Sequence, residues 1–338
     1  MSNEKNIYWQ SVRGICILAV VLIHSLQCYD FNNGIVIIRQ IINFAVAIFV
    51  FMAGYFVNID KVSSKRFSAK RWIINRGGGE RLCVPFIFWS LIYSMLSCFI
   101  SAYNGNEINW IKLLGKIFLG KASAPFYYIV VLIQLTFLTP WLARIIKKKS
   151  IVSRILWFIT PGYLVFIYAW NFIAKKQPLF YETPFMAWFL FYYLGLQVRN
   201  GMKLKCNLGF VIGTWILSCF EAFALKMLGM EVGFYTSQIT FGSFLYATAV
   251  IGLILKNAEN NMLNKPSVIK KIGDCSYGIF YIHMLILSVV KCFIINENWL
   301  IMSGIRFVFT ALISFAIVYI GQLMLKKHEK ALKIVGFI

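Results

Sequence analysis

The apolar positions of this chain fall in long unbroken blocks, unlike the narrow stripe of a soluble helix or the alternation of an exposed strand. Ten blocks can be marked, roughly at residues 11–29, 35–57, 82–103, 126–146, 151–173, 184–198, 206–228, 235–255, 275–295 and 303–325. The sixth is the shortest and the fourth contains Pro140. About 20 apolar residues is what a helix needs to cross roughly 30 Å of hydrocarbon, and the dyad alternation of an outer-membrane barrel is absent. The pattern therefore predicts an all-α, polytopic membrane helix bundle of about ten transmembrane helices. The first block is too long for a signal-peptide core, carries Arg13 and shows no small-residue cleavage site, so it is expected to stay as a helix. No Pro/Ser-rich linker or low-complexity tail divides the chain, which reads as a single membrane domain over residues 1–338.

Composition supports the bilayer as solvent. Hydrophobic residues make up 60% of the 338 and charged residues only 14%, against about half and about a quarter in soluble domains. Mean hydropathy is +0.73. The formal net charge of +22 would suggest nucleic acid on a soluble protein, but here the basic residues sit between the blocks. Lys61, Lys65, Arg66, Lys70, Arg71, Arg76 and Arg81 follow the second block. Arg144, Lys147, Lys148, Lys149 and Arg154 lie between the fourth and fifth, and Lys326, Lys327, Lys330 and Lys333 end the chain. Alternate loops hold far fewer. By the positive-inside rule both termini are expected in the cytoplasm, and most of the charge is topology rather than a nucleic-acid surface. Residues 104–124, with Trp110, Ile111, Leu114 and Phe118 among lysines, are expected to lie along the outer interface as an amphipathic helix. The eight cysteines are scattered, without metal or redox spacing, and read as small buried apolar residues.

Ionisable groups inside apolar helices are costly and so mark candidate function. Of the three histidines, His328 lies in the basic tail, whereas His24 and His283 fall inside predicted spans. Arg13 and His24 are eleven residues apart, which returns them to nearly the same helix face about 16 Å apart along the axis. Spacing alone leaves open a snorkelling arginine and a histidine satisfied by a neighbouring helix. Glu221 is the most isolated acid in a span, at a depth resembling that of His24; it is a candidate to orient the histidine or simply an interfacial glutamate beside Lys226. Asp274 and Ser276 read as caps of the ninth helix.

The run R-G-I-C-I-L-A-V-V-L-I-H from Arg13 resembles the first helix of the acyltransferase 3 family of membrane acyltransferases. Further pieces follow in that family's order: F-V-F-M-A-G-Y at 49–55, E-R-L-C-V-P-F-I-F-W at 80–89, P-F-Y-Y-I-V-V-L from Pro125, F-Y-Y-L-G ending at Gly195, and C-S-Y-G-I-F-Y-I-H at 275–283. The family's arginine pair before the third helix is altered: Arg81 fits the second position, the first falls on Gly78, and Arg76 lies two residues earlier. Tyr127 and Tyr128 stand where tryptophan is frequent.

The resemblance implies transfer of an acyl group, usually acetyl from acetyl-CoA, to a hydroxyl of a glycan or other envelope molecule, by a multi-pass protein of the cell membrane. Arg13, Arg76 and Arg81 are then candidates to hold the donor's phosphates. His24 is the candidate general base, with His283 and Glu221 as secondary catalytic candidates. The expected partners are acyl-CoA, a glycan or glycolipid acceptor and the bilayer. Thioester chemistry needs no metal, and no metal-ligand cluster is visible. A transporter or flippase for glycan or acyl groups is the alternative, and a non-catalytic membrane sensor a further one; neither would turn over CoA thioester. Acceptor, donor chain length and oligomeric state are open at this point.

Overall fold

The computed structural model describes residues 3–26, 32–64, 79–107, 109–259, 267–294 and 298–337. Among them there is no strand, as expected where hydrocarbon leaves the backbone only its own hydrogen bonds. Helices α1 (Asn3–Leu26), α2 (Asn33–Ile42), α3 (Phe44–Tyr55) and the short α4 (Ile59–Ser63) open the chain. After the undescribed residues 65–78 come α5 (Gly79–Tyr103), α6 (Trp110–Phe118), α7 (Tyr127–Lys148), α8 (Ile151–Ile155), α9 (Ile159–Ala174) and α10 (Phe189–Arg199). The last part holds α11 (Leu208–Met227), α12 (Val232–Tyr235), α13 (Phe241–Glu259), α14 (Val268–Asp274), α15 (Ser276–Phe293), α16 (Trp299–Met324) and α17 (Glu329–Val335). Asparagine marks several starts: Asn32, Asn207 and Asn298 accept first-turn amides of α2, α11 and α16, the usual N-cap role.

Nine segments among the described residues are long and apolar enough to cross a membrane, one fewer than the blocks predict. The sixth block is the difference. It forms a single 3-10 turn at Phe185–Ala187 followed by α10, whose Phe189, Phe191, Tyr192, Tyr193 and Leu194 are buried in the protein core. Two other blocks are broken. Pro161 lacks an N–H and crowds the carbonyl four residues back, and a 3-10 turn at Leu156–Phe158 separates α8 from α9 at that point. The second block breaks at Asn43, between α2 and α3.

The Asn43 break is tied to a stretch of irregular backbone inside the bundle. Residues 236–240, between α12 and α13, are largely buried, and non-helical backbone at membrane depth persists only where protein satisfies it. Asn43 Nδ2 donates to the Ser237 carbonyl at 3.2 Å, Gln40 Nε2 to the Tyr235 carbonyl at 3.1 Å, and Arg39 Nη2 to the Thr236 carbonyl at 3.2 Å. Ser218 Oγ of α11 donates to Gln40 Oε1 at 2.6 Å.

The family-like glycines are helix-crossing points. A Cβ on Gly54 of α3 would lie 2.2 Å from the Tyr192 carbonyl oxygen, and one on Gly195 of α10 would lie 2.2 Å from the Phe51 oxygen. Gly14 of α1 and Gly273 of α14 approach each other's backbones as closely. Such contacts need residues without a Cβ, and van der Waals packing of this kind holds helices together in lipid. They bring α1, α3, α10 and the α14–α15 corner around one space.

Elsewhere α6 exposes Trp110, Ile111, Leu114 and Phe118, as the amphipathic reading of residues 104–124 expects. Asp274 and Ser276 do not cap α15. The N-cap position is Cys275, without a side-chain bond, because α14 runs into α15 with hardly a break. Asp274 instead accepts from Lys270 at 2.6 Å.

Candidate active site

The space enclosed by these helices is a cavity of about 1070 Å³. Arg13, Ile17, Val20 and His24 all line it. Their spacings of four, three and four residues are one face of α1, so the eleven-residue interval does bring the arginine and the histidine to one space. Arg81, at the start of α5, lines it too. Arg76 lies outside the described residues.

One end is cationic. Arg13 and Arg81 are close enough for their charges to interact, Tyr277 reaches the Arg81 backbone, and Phe56, on which Arg13 packs, leads along the chain to Asn58 and Lys61, all of them lining the cavity. Arg13 packs on an aromatic ring, its guanidinium carbon 5.6 Å from the Phe56 ring centre, and its Nη1 is 3.4 Å from Gln10 Oε1. Arg81 is positioned through its backbone. Pro85 has no N–H to offer the carbonyl four residues earlier, which is that of Arg81; the Tyr277 hydroxyl donates to that carbonyl at 3.0 Å. One hydrogen bond thus joins the arginine–proline segment to the serine–tyrosine–glycine segment. The Asp60–Lys147 ion pair, at 2.6 Å, ties α4 to the end of α7.

Aromatic walls lead away from this end, with Phe49, Phe56, Tyr128 and Phe280 among them. Tyr128 packs on Phe49 and Phe280 at centroid distances of 6.2 and 5.6 Å. Tyr127 and Tyr128, set where the family favours tryptophan, are both wall residues.

His24 is 7% exposed and lies beside the second histidine, their ring centres 5.3 Å apart and their planes at 43°. His283 is fully buried. Its Nδ1 lies 3.0 Å from the Ile279 carbonyl, an acceptor only, so the proton sits on Nδ1. Nε2 has no hydrogen-bond partner among the described residues. His283 packs behind His24 and does not line the cavity.

Glu221 is elsewhere. Its Oε1 accepts from the Tyr168 hydroxyl at 2.5 Å and its Oε2 from the Gly242 amide at 2.7 Å. Gly242 opens α13, so the carboxylate satisfies an orphan amide at a helix N-terminus, where negative charge is favoured. It does not line the cavity, and the structure does not bring it to His24.

Beyond His24 the cavity reaches Arg39, Glu182 and Gln238, none of them among the candidates drawn from the sequence. For Arg39 a signal existed: it is an ionisable group inside an apolar block, the criterion that picks out His24. It is 6% exposed, and its Nη1 donates to the Ile23 carbonyl at 3.3 Å, one residue before His24. Glu182 lies outside the spans, on a loop whose fold brings it inward, and accepts from the Tyr181 hydroxyl at 3.0 Å. Burial pushes its carboxyl above the ordinary carboxylate range, against the opposite pull of Lys121, Tyr181 and Arg39. Arg306, also within a block, serves the fold instead. Its Nε and Nη2 donate to the Ile294 carbonyl at the end of α15, at 3.2 and 2.8 Å.

A cationic end, aromatic walls and a buried histidine in one membrane-embedded cavity suit a donor with an anionic head and a reactive tail. A family model described as an acyltransferase domain matches residues 6–322. It includes both ends of the cavity and every segment on which the resemblance rests. No significant match was found among curated proteins or among solved structures. Because that match runs over nearly the whole of a bundle with nine membrane-crossing segments among its described residues, the chain belongs to the acyltransferase 3 family and is a multi-pass membrane acyltransferase.

Proposed function

We propose that this protein is an O-acyltransferase of the cytoplasmic membrane. It moves an acyl group, acetyl from acetyl-CoA, to a hydroxyl of an envelope polysaccharide or other glycan. The observation that carries the reading is the placement of Arg13, Lys61 and Arg81 at one end of the cavity that His24 also lines. Along α1 the arginine and the histidine are separated by about 16 Å, which suits a donor with phosphates at one end and a thioester at the end of a long arm. Guanidinium and ammonium groups grip phosphate oxygens by charge-assisted hydrogen bonds. The basic loops set this end toward the cytoplasm, where CoA is available, with both termini on the same side.

In this reading His24 takes the proton of the acceptor hydroxyl as its oxygen attacks the thioester carbonyl carbon. The carbon–sulfur bond breaks, and the imidazolium returns the proton to the departing thiolate. Acyl-CoA and alcohol become ester and free CoA, with no metal needed. His283, behind His24, orients the ring. Membership of an acyltransferase family favours this reading over the transporter alternative. Mass spectrometry of envelope glycans from cells with and without the protein tests the proposal: loss of an acyl mass from a sugar is expected, and unchanged glycans would overturn it.

A further inference from the structure

The far end of the cavity carries two buried polar atoms without a hydrogen-bond partner among the described residues, one a donor and one an acceptor: Arg39 Nε and Gln238 Oε1. Buried polar groups are nearly always hydrogen-bonded, and the exceptions call for an explanation. Gln238 sits on the irregular segment 236–240, and Arg39 holds that same segment through the Thr236 carbonyl. The guanidinium also reaches the Ile23 carbonyl, beside His24. Glu182 completes the group, and Tyr127 and Tyr192 form nearby wall.

We infer that Arg39, Gln238 and Glu182 form the acceptor subsite and that it takes an uncharged sugar ring. A sugar hydroxyl both donates and accepts, so one hydroxyl answers Gln238 Oε1 while another answers Arg39 Nε. The tyrosine rings offer flat apolar surface to the C–H face of the ring. A buried arginine alone would select an anionic acceptor. Glu182 sets a carboxyl opposite the guanidinium, so the subsite offers acceptor oxygens beside its donors, a match for hydroxyls. The hydrogen bond to Ile23 places this group beside the base, as proton removal from a bound hydroxyl requires.

This assignment rests on the transferase reading and deepens it, so the test separates the two. Cells lacking the gene are supplied with wild type, Gln238→Ala, Gln238→Glu or Glu182→Gln, and acyl groups per sugar on envelope glycans are counted by mass spectrometry. The same proteins, purified in detergent, are titrated calorimetrically with acetyl-CoA. Arg39 is left intact because its other nitrogens hold backbone. Gln238→Ala is expected to keep donor affinity within about twofold while acylation falls about five- to tenfold, the worth of roughly one hydrogen bond. Glu182→Gln falls likewise, and Gln238→Glu, which keeps an acceptor oxygen, retains more than alanine. Wild-type acylation by Gln238→Ala and Glu182→Gln overturns the subsite. So does donor affinity that drops as far as acylation in well-folded variants, or an acyl group found on an amine, a peptide or an acidic sugar. A wild-type protein that neither binds acetyl-CoA nor alters any glycan refutes the transferase reading, and this assignment with it.

Discussion

Replacing Gly54 by alanine tests the contact that shapes the cavity. An alanine in mid-helix is ordinarily favoured over glycine by about 1 kcal/mol. At Gly54 the new Cβ would lie 2.2 Å from the Tyr192 carbonyl oxygen, 3.1 Å from its carbon and 3.3 Å from the Leu196 amide nitrogen. Ordinary contact begins at 3.4 Å, so the shortfall exceeds 1 Å. The obstructing atoms are backbone and cannot rotate away, so α3 and α10 must separate. Overpacking of this kind costs about 1–3 kcal/mol, occasionally more. A 2.2 Å approach to backbone puts the cost at the upper end, about 3 kcal/mol, so against the propensity gain a net loss of about 2 kcal/mol is expected. Gly195→Ala should behave alike, since its Cβ would lie 2.2 Å from the Phe51 oxygen and 2.7 Å from the Tyr55 nitrogen. The two sites face each other, so the gap opened by the first alanine accepts the second, and the double variant should lose less than the sum. Gly162→Ala on α9, with nothing within 4 Å, is the control and should be neutral or gain up to about 1 kcal/mol. Unfolding of purified protein by SDS titration, followed by tryptophan fluorescence, measures all four. A Gly54→Ala protein as stable as wild type, or strict additivity in the double variant, would refute the close crossing. Activity should fall as well, because Met52, Ala53 and Tyr192 beside the contact line the cavity.

The remaining predictions concern the site. His24→Ala should insert and fold but lose about 10²- to 10⁴-fold in acyl transfer, the usual worth of a positioned general base; normal glycan acylation by a well-expressed variant would remove His24 from the chemistry. Arg13→Ala and Arg81→Ala should each weaken acetyl-CoA binding by about 1.5–3 kcal/mol, the worth of a hydrogen bond to a charged group, whereas His24→Ala should leave it nearly intact because a base acts mainly in the transition state. Calorimetry on the three proteins decides this, and unchanged affinity in both arginine variants would leave those residues as topology determinants. Tyr277→Phe removes the donor to the carbonyl that Pro85 leaves without its helical partner, and should weaken acetyl-CoA binding about three- to tenfold, one hydrogen bond's worth, by loosening the first turn of α5; wild-type affinity in that variant would disconnect the Tyr277–Arg81 bond from donor binding.

The sequence by itself determined the solvent and the secondary structure. Blocks of about 20 apolar residues leave the backbone no choice but helix in hydrocarbon, and helical periodicity alone puts Arg13 and His24 on one face of α1. The broken helices were partly legible, since Pro161 is visible in the sequence while the break at Asn43 depends on distant carbonyls. What the tertiary structure decided is which polar groups share a space. The local pattern favours Glu221, inside an apolar block, over Glu182, which lies just outside one. Glu221 meets the start of α13, whose free amide takes it. Glu182 is carried by its loop to the cavity beyond His24. Gln238 is an ordinary polar residue until the segment 236–240 is folded into the bundle and held there by Arg39, Gln40 and Asn43. Periodicity reports which face of a helix a residue occupies; which faces meet depends on crossings such as Gly54 against Gly195, set by backbone approach between segments about 140 residues apart in the chain.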